Sequence, residues 1–123
     1  MDKSNKKIII VEDEKAISKA LQLKLIHEGY LVDAAYNGDE GLGKVKSEKY
    51  DLILLDMVMP VKDGFTFLEE VNAAGFKIPV IVISNLNQTE DIKKARSLGA
   101  VDFIVKSDTT LSDIVNLVEN VLK

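Results

Sequence analysis

The sequence has no cysteine, which excludes disulfides and thiolate metal sites. It has no long basic run, and its net charge is −4. Direct nucleic-acid binding by this chain is therefore not expected. Its apolar runs are strand-sized, as in Leu52 to Leu55, and none approaches the roughly 20 residues of a membrane-spanning helix. The polar start, Met1 to Lys7, is followed by an apolar run too short for a signal peptide. The expectation is a cytoplasmic protein without membrane contact. No repeat, low-complexity stretch or linker interrupts the chain, and it stops at the end of its last helical pattern. One domain over residues 1–123, with no output domain attached, is expected. What is present is ordinary for a folded domain: 123 residues, 46% hydrophobic and 29% charged. A chain of this size buries roughly two-thirds of its unfolded surface in one core.

Apolar β-branched runs alternate with helical patterns along this chain. Strands are predicted over Lys7–Val11, Leu31–Ala35, Leu52–Asp56, Val80–Ser84 and Val101–Lys106. Helices are predicted over Lys15–Glu28, Asp39–Ser47, Phe65–Ala74, Thr89–Leu98 and Thr110–Leu122, with Gly29, Gly75 and Gly99 as stops. Ile17, Ala20, Leu21 and Leu25 share a face of the first helix. Leu111, Ile114, Val115, Val118, Val121 and Leu122 share a face of the last. Alternating strands and helices imply an α/β fold with a parallel sheet covered on both sides. Strands two and five carry Asp33 and Asp102 and suit the edges, whereas strands one, three and four are almost wholly apolar. That gives a doubly wound (βα)5 domain, flavodoxin-like, with strand order 2-1-3-4-5. Right-handed crossovers then put helices one and five on one face and two, three and four on the other.

In such sheets ligands bind at the carboxyl ends of the strands, near the point where strand order reverses. Those ends carry Glu12, Asp13 and Glu14 after strand one, Asp56 at strand three, Ser84 at strand four and Lys106 at strand five. Each has a plain reading alone. Asp13 could cap the first helix, Ser84 could be a turn residue, Lys106 a surface lysine and Phe103 an edge-strand aromatic. Met57 and Met59 read as packing. His27, near a helix C-terminus, reads as a helix-dipole contact. Lys93, Lys94 and Arg96 read as a solvated face. Together, three carboxylates in one cleft repel each other unless a counter-charge is present. A hard divalent cation such as Mg²⁺ supplies it through oxygen ligands. Asp56 is then the candidate nucleophile, able to form an acyl phosphate. Lys106 and Ser84 can neutralise and hydrogen-bond the transferred group.

Val11-Glu12-Asp13-Glu14, Leu54 to Pro60 with Gly64, then Ser84, Phe103 and Lys106 resemble the response-regulator receiver family over essentially the whole chain. The resemblance implies Asp56 as phosphoacceptor. It implies Asp13 as a direct Mg²⁺ ligand, Glu12 as one acting largely through water, and the Val58 carbonyl as a further ligand. Ser84 and Lys106 would contact the phosphoryl group. Ser84 and Phe103 would form the switch that changes the face of helix four, strand five and helix five. A sensor histidine kinase or phosphotransfer protein would be the donor and another protein the target. Phosphorylation-linked homodimerisation is left open. The chain would be a phosphoprotein of two-component signalling, not an enzyme beyond catalysing its own phosphorylation and dephosphorylation.

Two positions depart from the family pattern. Asn85 stands where a small residue is usual and brings a larger amide to the phosphoryl pocket. Ser107 stands where proline, often cis, is usual. A non-proline cis bond costs about 2.5–4 kcal/mol, so Lys106–Ser107 should be trans or strained. Val58 and Leu86 are apolar two residues beyond Asp56 and Ser84, which points to a long-lived phosphoryl group. Rival readings fit less well. A flavin module needs a hydroxyl- and glycine-rich loop where Glu12-Asp13-Glu14 stand, and an aspartyl phosphohydrolase needs its nucleophile on strand one. A degenerate receiver, binding partners without phosphorylation, is the alternative kept.

Overall fold

A computed structural model describes residues 5–59, 62–85 and 89–123; Pro60 of the motif and Leu86 lie outside them. Five strands and five helices alternate: β1 (Lys7–Val11), α1 (Lys15–His27), β2 (Leu31–Ala35), α2 (Gly38–Ser47), β3 (Leu52–Leu55), α3 (Gly64–Ala73), β4 (Val80–Ser84), α4 (Thr89–Ser97), β5 (Ala100–Val105) and α5 (Leu111–Leu122). A 3-10 turn over Lys106–Asp108 joins the last two. The strands are parallel in the order β2-β1-β3-β4-β5, as the distribution of Asp33 and Asp102 indicates.

Successive side chains of a strand point to opposite faces, and the two halves of the core follow that alternation. Ile9, Val11, Ile53, Leu55, Val80 and Val82 pack with Val45, Phe67, Leu68, Val71 and Ala95 from α2, α3 and α4. Ile8, Ile10, Leu52, Leu54, Ile81 and Ile83 pack with Leu21 and Leu25 from α1 and Ile114, Val115 and Val118 from α5. Placement of the helices is therefore as the crossover rule requires. Met57 and Met59 are buried in the first cluster, so their packing role holds. Two positions depart from the helical patterns. Ala20 faces solvent while Ser18 is buried and accepts from Gln22 Nε2 at 3.1 Å. Leu111 is exposed in the first turn of α5.

The element ends differ from the periodicity by a residue, because hydrogen bonds set them. Thr110 is the N-cap of α5, in a capping box with Asp113. Asn37 and Asp63 cap α2 and α3 through their side chains. Gly29 ends α1 at φ 105°, a conformation that favours glycine. Strand five begins at Ala100 and stops at Val105, since Lys106 already belongs to the 3-10 turn. The β4–β5 register shifts between Val80 and Ile81, which pair with Ala100 and Asp102. Val101 is the extra residue and turns outward to solvent.

The polar edge residues are tied in. Asp33 accepts from the Tyr50 hydroxyl at 2.7 Å and lies 3.4 Å from Lys7. Arg96 lies 3.8 Å from Asp102, and Lys94 sits over the Phe65 ring, so these two basic residues of α4 are not simply solvated. His27 ends α1, as its helix-dipole reading requires.

Candidate functional site

β1 and β3 are central and apolar, so their registered ends deliver the residues that follow them to one point. Val11 pairs with Leu55, which places Glu12 beside Asp56. Glu12 and Asp56 are almost wholly buried, at 3% and 4% exposure. Oxygen atoms of Glu12, Asp13 and Asp56 lie within 4.8 Å of one another. Asp13, Glu14, Asp56, Val58, Ser84, Asn85 and Lys106 line a cleft of about 280 Å³. Sequence-predicted residues from four strands thus meet in one place. Phe103 does not join them. It is half-buried on β5, packed against the first core cluster and bordering a separate shallow groove with Asn116 and Leu117.

Lys106 is the cation of the cleft. Its Nζ lies 2.5 Å from Glu12, 3.4 Å from Asp56 and 3.6 Å from Glu14. One ammonium cannot balance four carboxylates. Burial pushes the Glu12 carboxyl up from 4.5 to about 7, against the pull of the Lys106 hydrogen bond and the Glu14 N–H. Asp56 is likewise pushed up by burial, although Lys106 and the Val58 N–H at 3.3 Å oppose this. For Lys106, burial works downward, but the Glu12 hydrogen bond and the charges of Asp56 and Glu12 outweigh it and raise the group. A cluster that folding drives toward protonation is one that a cation would relieve.

Asp13 makes the strongest case for that cation. Its Oδ1 is buried without a hydrogen-bond partner among the described residues. A buried carboxylate oxygen is costly to leave unpaired. Nor does Asp13 cap α1: the N-cap is Glu14, with no side-chain bond. The donor set is all oxygen, which suits Mg²⁺.

The pH consequence follows from the sign of the Glu12 shift. A carboxyl raised by folding favours the folded state while protonated, and that contribution is lost as pH rises through its folded value. Metal-free protein should therefore lose stability between about pH 4.5 and pH 7. Melting in EDTA across that range checks this. Glu12→Gln should flatten the slope, and saturating Mg²⁺ should reverse it, because the ligands must be deprotonated to bind.

Gly64 fixes the floor of the site. Its N–H donates to Met57 O at 3.0 Å. A Cβ there would lie 2.7 Å from Met57 Cα and 2.8 Å from Asp56 O. Backbone atoms cannot yield cheaply, so Gly64→Ala should cost about 1–3 kcal/mol as overpacking. By displacing Asp56 it should also weaken Mg²⁺ binding; urea melts and a Mg²⁺ titration measure the two effects.

The Lys106–Ser107 bond is trans, since no cis peptide occurs among the described residues. Ser107 donates its N–H to Asn85 Oδ1 at 3.1 Å, so the two unusual residues touch. Sequence reading missed that contact, and also the clamp of Lys62 on Asp39 (2.8 Å) and Glu70 (2.6 Å) beside the loop after β3. Pairs made between separate elements leave no spacing signal. Val58 is exposed at 59%; Leu86, its expected apolar counterpart, lies outside the described residues.

Comparison with known proteins agrees with this geometry. The family profile "Response regulator receiver domain" matches residues 8–119. Transcriptional regulatory protein DltR of Streptococcus agalactiae is 41% identical over 100 residues, covering 81% of this chain and 45% of DltR. Response regulator ArlR of Staphylococcus aureus is 39% identical over 99 residues, covering 80% of this chain and 45% of ArlR. The chain thus spans less than half the length of the curated relatives it matches. A two-component response regulator from Clostridium difficile superposes with TM-score 0.90, at 29% identity over 96% of both chains. TrrA of Thermotoga maritima, solved with Mg(2+)-BeF, superposes with TM-score 0.84 at 30% identity, covering 95% of this chain and 99% of that one. Relatives named as transcriptional regulators leave the expectation of no direct nucleic-acid contact without support. Among the described residues, no helix is long and apolar enough to cross a membrane. With its strand order, its acidic cleft and a profile match over nearly its whole length, the chain belongs to the response-regulator receiver family.

Proposed function

We propose that this chain accepts a phosphoryl group on Asp56 from a sensor histidine kinase or a phosphotransfer protein. The observation that carries the reading is the buried cluster of Glu12, Asp13 and Asp56 with Lys106 3.4 Å from Asp56. Glu12, Asp13, Asp56 and the Val58 carbonyl would hold Mg²⁺, with Glu12 acting largely through water. When bound, Mg²⁺ supplies positive charge to the phosphoryl oxygens and orients them. A carboxylate oxygen of Asp56 attacks phosphorus, and the bond from phosphorus to the donor's nitrogen or oxygen breaks as the acyl phosphate forms. Lys106 exchanges part of its contact with Glu12 for the new phosphoryl oxygens. Ser84, buried at the end of β4, donates a hydrogen bond from its hydroxyl to the same group.

The output is a population shift, in which contacts available only after phosphorylation favour a second conformation. Ser84 draws toward the phosphoryl group and Phe103 turns inward. The face of α4, β5 and α5 then changes its affinity for a downstream protein. The chain acts catalytically only on itself, and the receiver unit occupies residues 1–123. The complete set of Asp13, Asp56, Ser84 and Lys106 speaks against a degenerate receiver.

Fluoroberyllate imitates a phosphoryl group on a carboxylate, and a relative at 30% identity was solved with it and Mg²⁺. Native protein should bind fluoroberyllate only when Mg²⁺ is present, with a rise in melting temperature. Ligand at 100 times its Kd stabilises by about 2.7 kcal/mol. No fluoroberyllate binding at saturating Mg²⁺ would contradict the reading.

A further inference from the structure

Lys106 and Ser84 must converge on the same phosphoryl oxygens, yet one begins the 3-10 turn and the other ends β4. Lysine is a poor positioner by itself, with four rotatable carbons between backbone and charge. Its backbone therefore has to be held. On the far side it is held by Thr109, whose hydroxyl donates to Val105 O at 2.9 Å and whose N–H donates to Lys106 O at 3.4 Å. On the near side the 3-10 turn begins at Lys106, and the first N–H groups of such a turn lack partners within it. Val105, preceding the turn, has no side-chain oxygen to cap it. Asn85 of the neighbouring loop does the capping instead, its Oδ1 accepting from the Ser107 N–H at 3.1 Å. An amide offers an acceptor of the right reach, and a residue other than proline at 107 offers the donor. Asn85 directly follows Ser84, and Ser107 directly follows Lys106.

We infer that Asn85 and Ser107 form a clasp across the mouth of the cleft, and that Asn85 is a positioning residue that sets Lys106 and Ser84 at the spacing a phosphoryl group requires. The inference rests on the phosphoacceptor reading of the site. Both clasp residues are exposed, so the bond adds little to overall stability. Its contribution is the reduced freedom of two groups that must act together. The proposed metal ligands Glu12, Asp13 and Asp56 follow β1 and β3, and Lys106 links them to the clasp through Glu12 at 2.5 Å and Asp56 at 3.4 Å.

The test is a pair of titrations on the full chain: Mg²⁺ alone, then fluoroberyllate at saturating Mg²⁺. Native protein, Asn85→Ala, Ser107→Pro and the double variant are compared, with folding checked by melting. Asn85→Ala should bind fluoroberyllate roughly three- to tenfold more weakly, the scale of one hydrogen bond, with Mg²⁺ affinity unchanged. The double variant should be no weaker than the weaker single one, because each removes the same bond. Unchanged fluoroberyllate affinity in Asn85→Ala overturns the clasp, as does an equal loss of Mg²⁺ affinity or strict additivity of the two substitutions. If the native chain itself binds Mg²⁺ but no fluoroberyllate, the phosphoacceptor reading falls and the clasp falls with it, an outcome distinct from failure in the variants alone.

Discussion

Asp56→Asn is expected to abolish phosphoryl uptake and, in metal-free solution, to leave a fold at least as stable as the native one. An amide cannot become an acyl phosphate, so no residual rate should survive. The stability side follows from the electrostatics. Asp56 is 4% exposed and shares its cleft with Glu12 and Asp13. Burial pushes its carboxyl up, so folding disfavours its charged form. Lys106, 2.5 Å from Glu12, would still have that partner when Asp56 is neutralised. Relief of about 1–4 kcal/mol is expected, the range for two like charges about 4 Å apart between bulk water and a near-surface site. Melting in EDTA near pH 8 measures it. A catalytic residue whose removal stabilises the fold is held there for chemistry.

The second large effect is that of Asp13→Asn. Mg²⁺ affinity should fall at least about a hundredfold, beyond the range typical of losing a residue that only supports a metal ligand. Among the described residues Asp13 Oδ1 has no hydrogen-bond partner and Asp13 does not cap α1, so the substitution removes no hydrogen bond that Oδ1 makes to them. The metal-free melting temperature should hold or rise while Mg²⁺ binding collapses, and phosphoryl uptake should collapse with it. Isothermal titration with Mg²⁺, set beside melting curves, separates the two. Val58→Ala offers the contrast: its proposed ligand is a backbone carbonyl, so metal affinity should stay near native.

The fold was legible because the central strands are unambiguous. Ile8 to Val11, Leu52 to Leu55 and Val80 to Ile83 are apolar on both faces, which only the middle of a parallel sheet demands. The single charges on β2 and β5 then set the edges and the strand order. Strand ends in turn located Glu12, Asp13, Asp56, Ser84 and Lys106, since register carries residues after adjacent strands to one place. Loop geometry was not legible. Whether Lys106 contacts Glu12 more closely than Asp56 depends on less than an ångström, 2.5 Å against 3.4 Å. That Asn85 meets Ser107 depends on two loops far apart in sequence. Helical periodicity also misled at Ala20 and Leu111, whose apolar side chains remain exposed.

The most direct measurement is the intact mass of the chain after incubation with acetyl phosphate, with and without Mg²⁺, for the native protein and for Asp56→Asn. The expected result is a gain of one phosphoryl group in the native chain with Mg²⁺, and no gain without the metal or in the variant. A native chain that stays unmodified while binding both Mg²⁺ and fluoroberyllate would mean that the adduct is too short-lived to weigh, contrary to the long-lived phosphoryl group expected here. A native chain that binds Mg²⁺ yet takes up neither acetyl phosphate's phosphoryl group nor fluoroberyllate, or an adduct that persists in Asp56→Asn, would contradict the assignment of Asp56 as the phosphoacceptor.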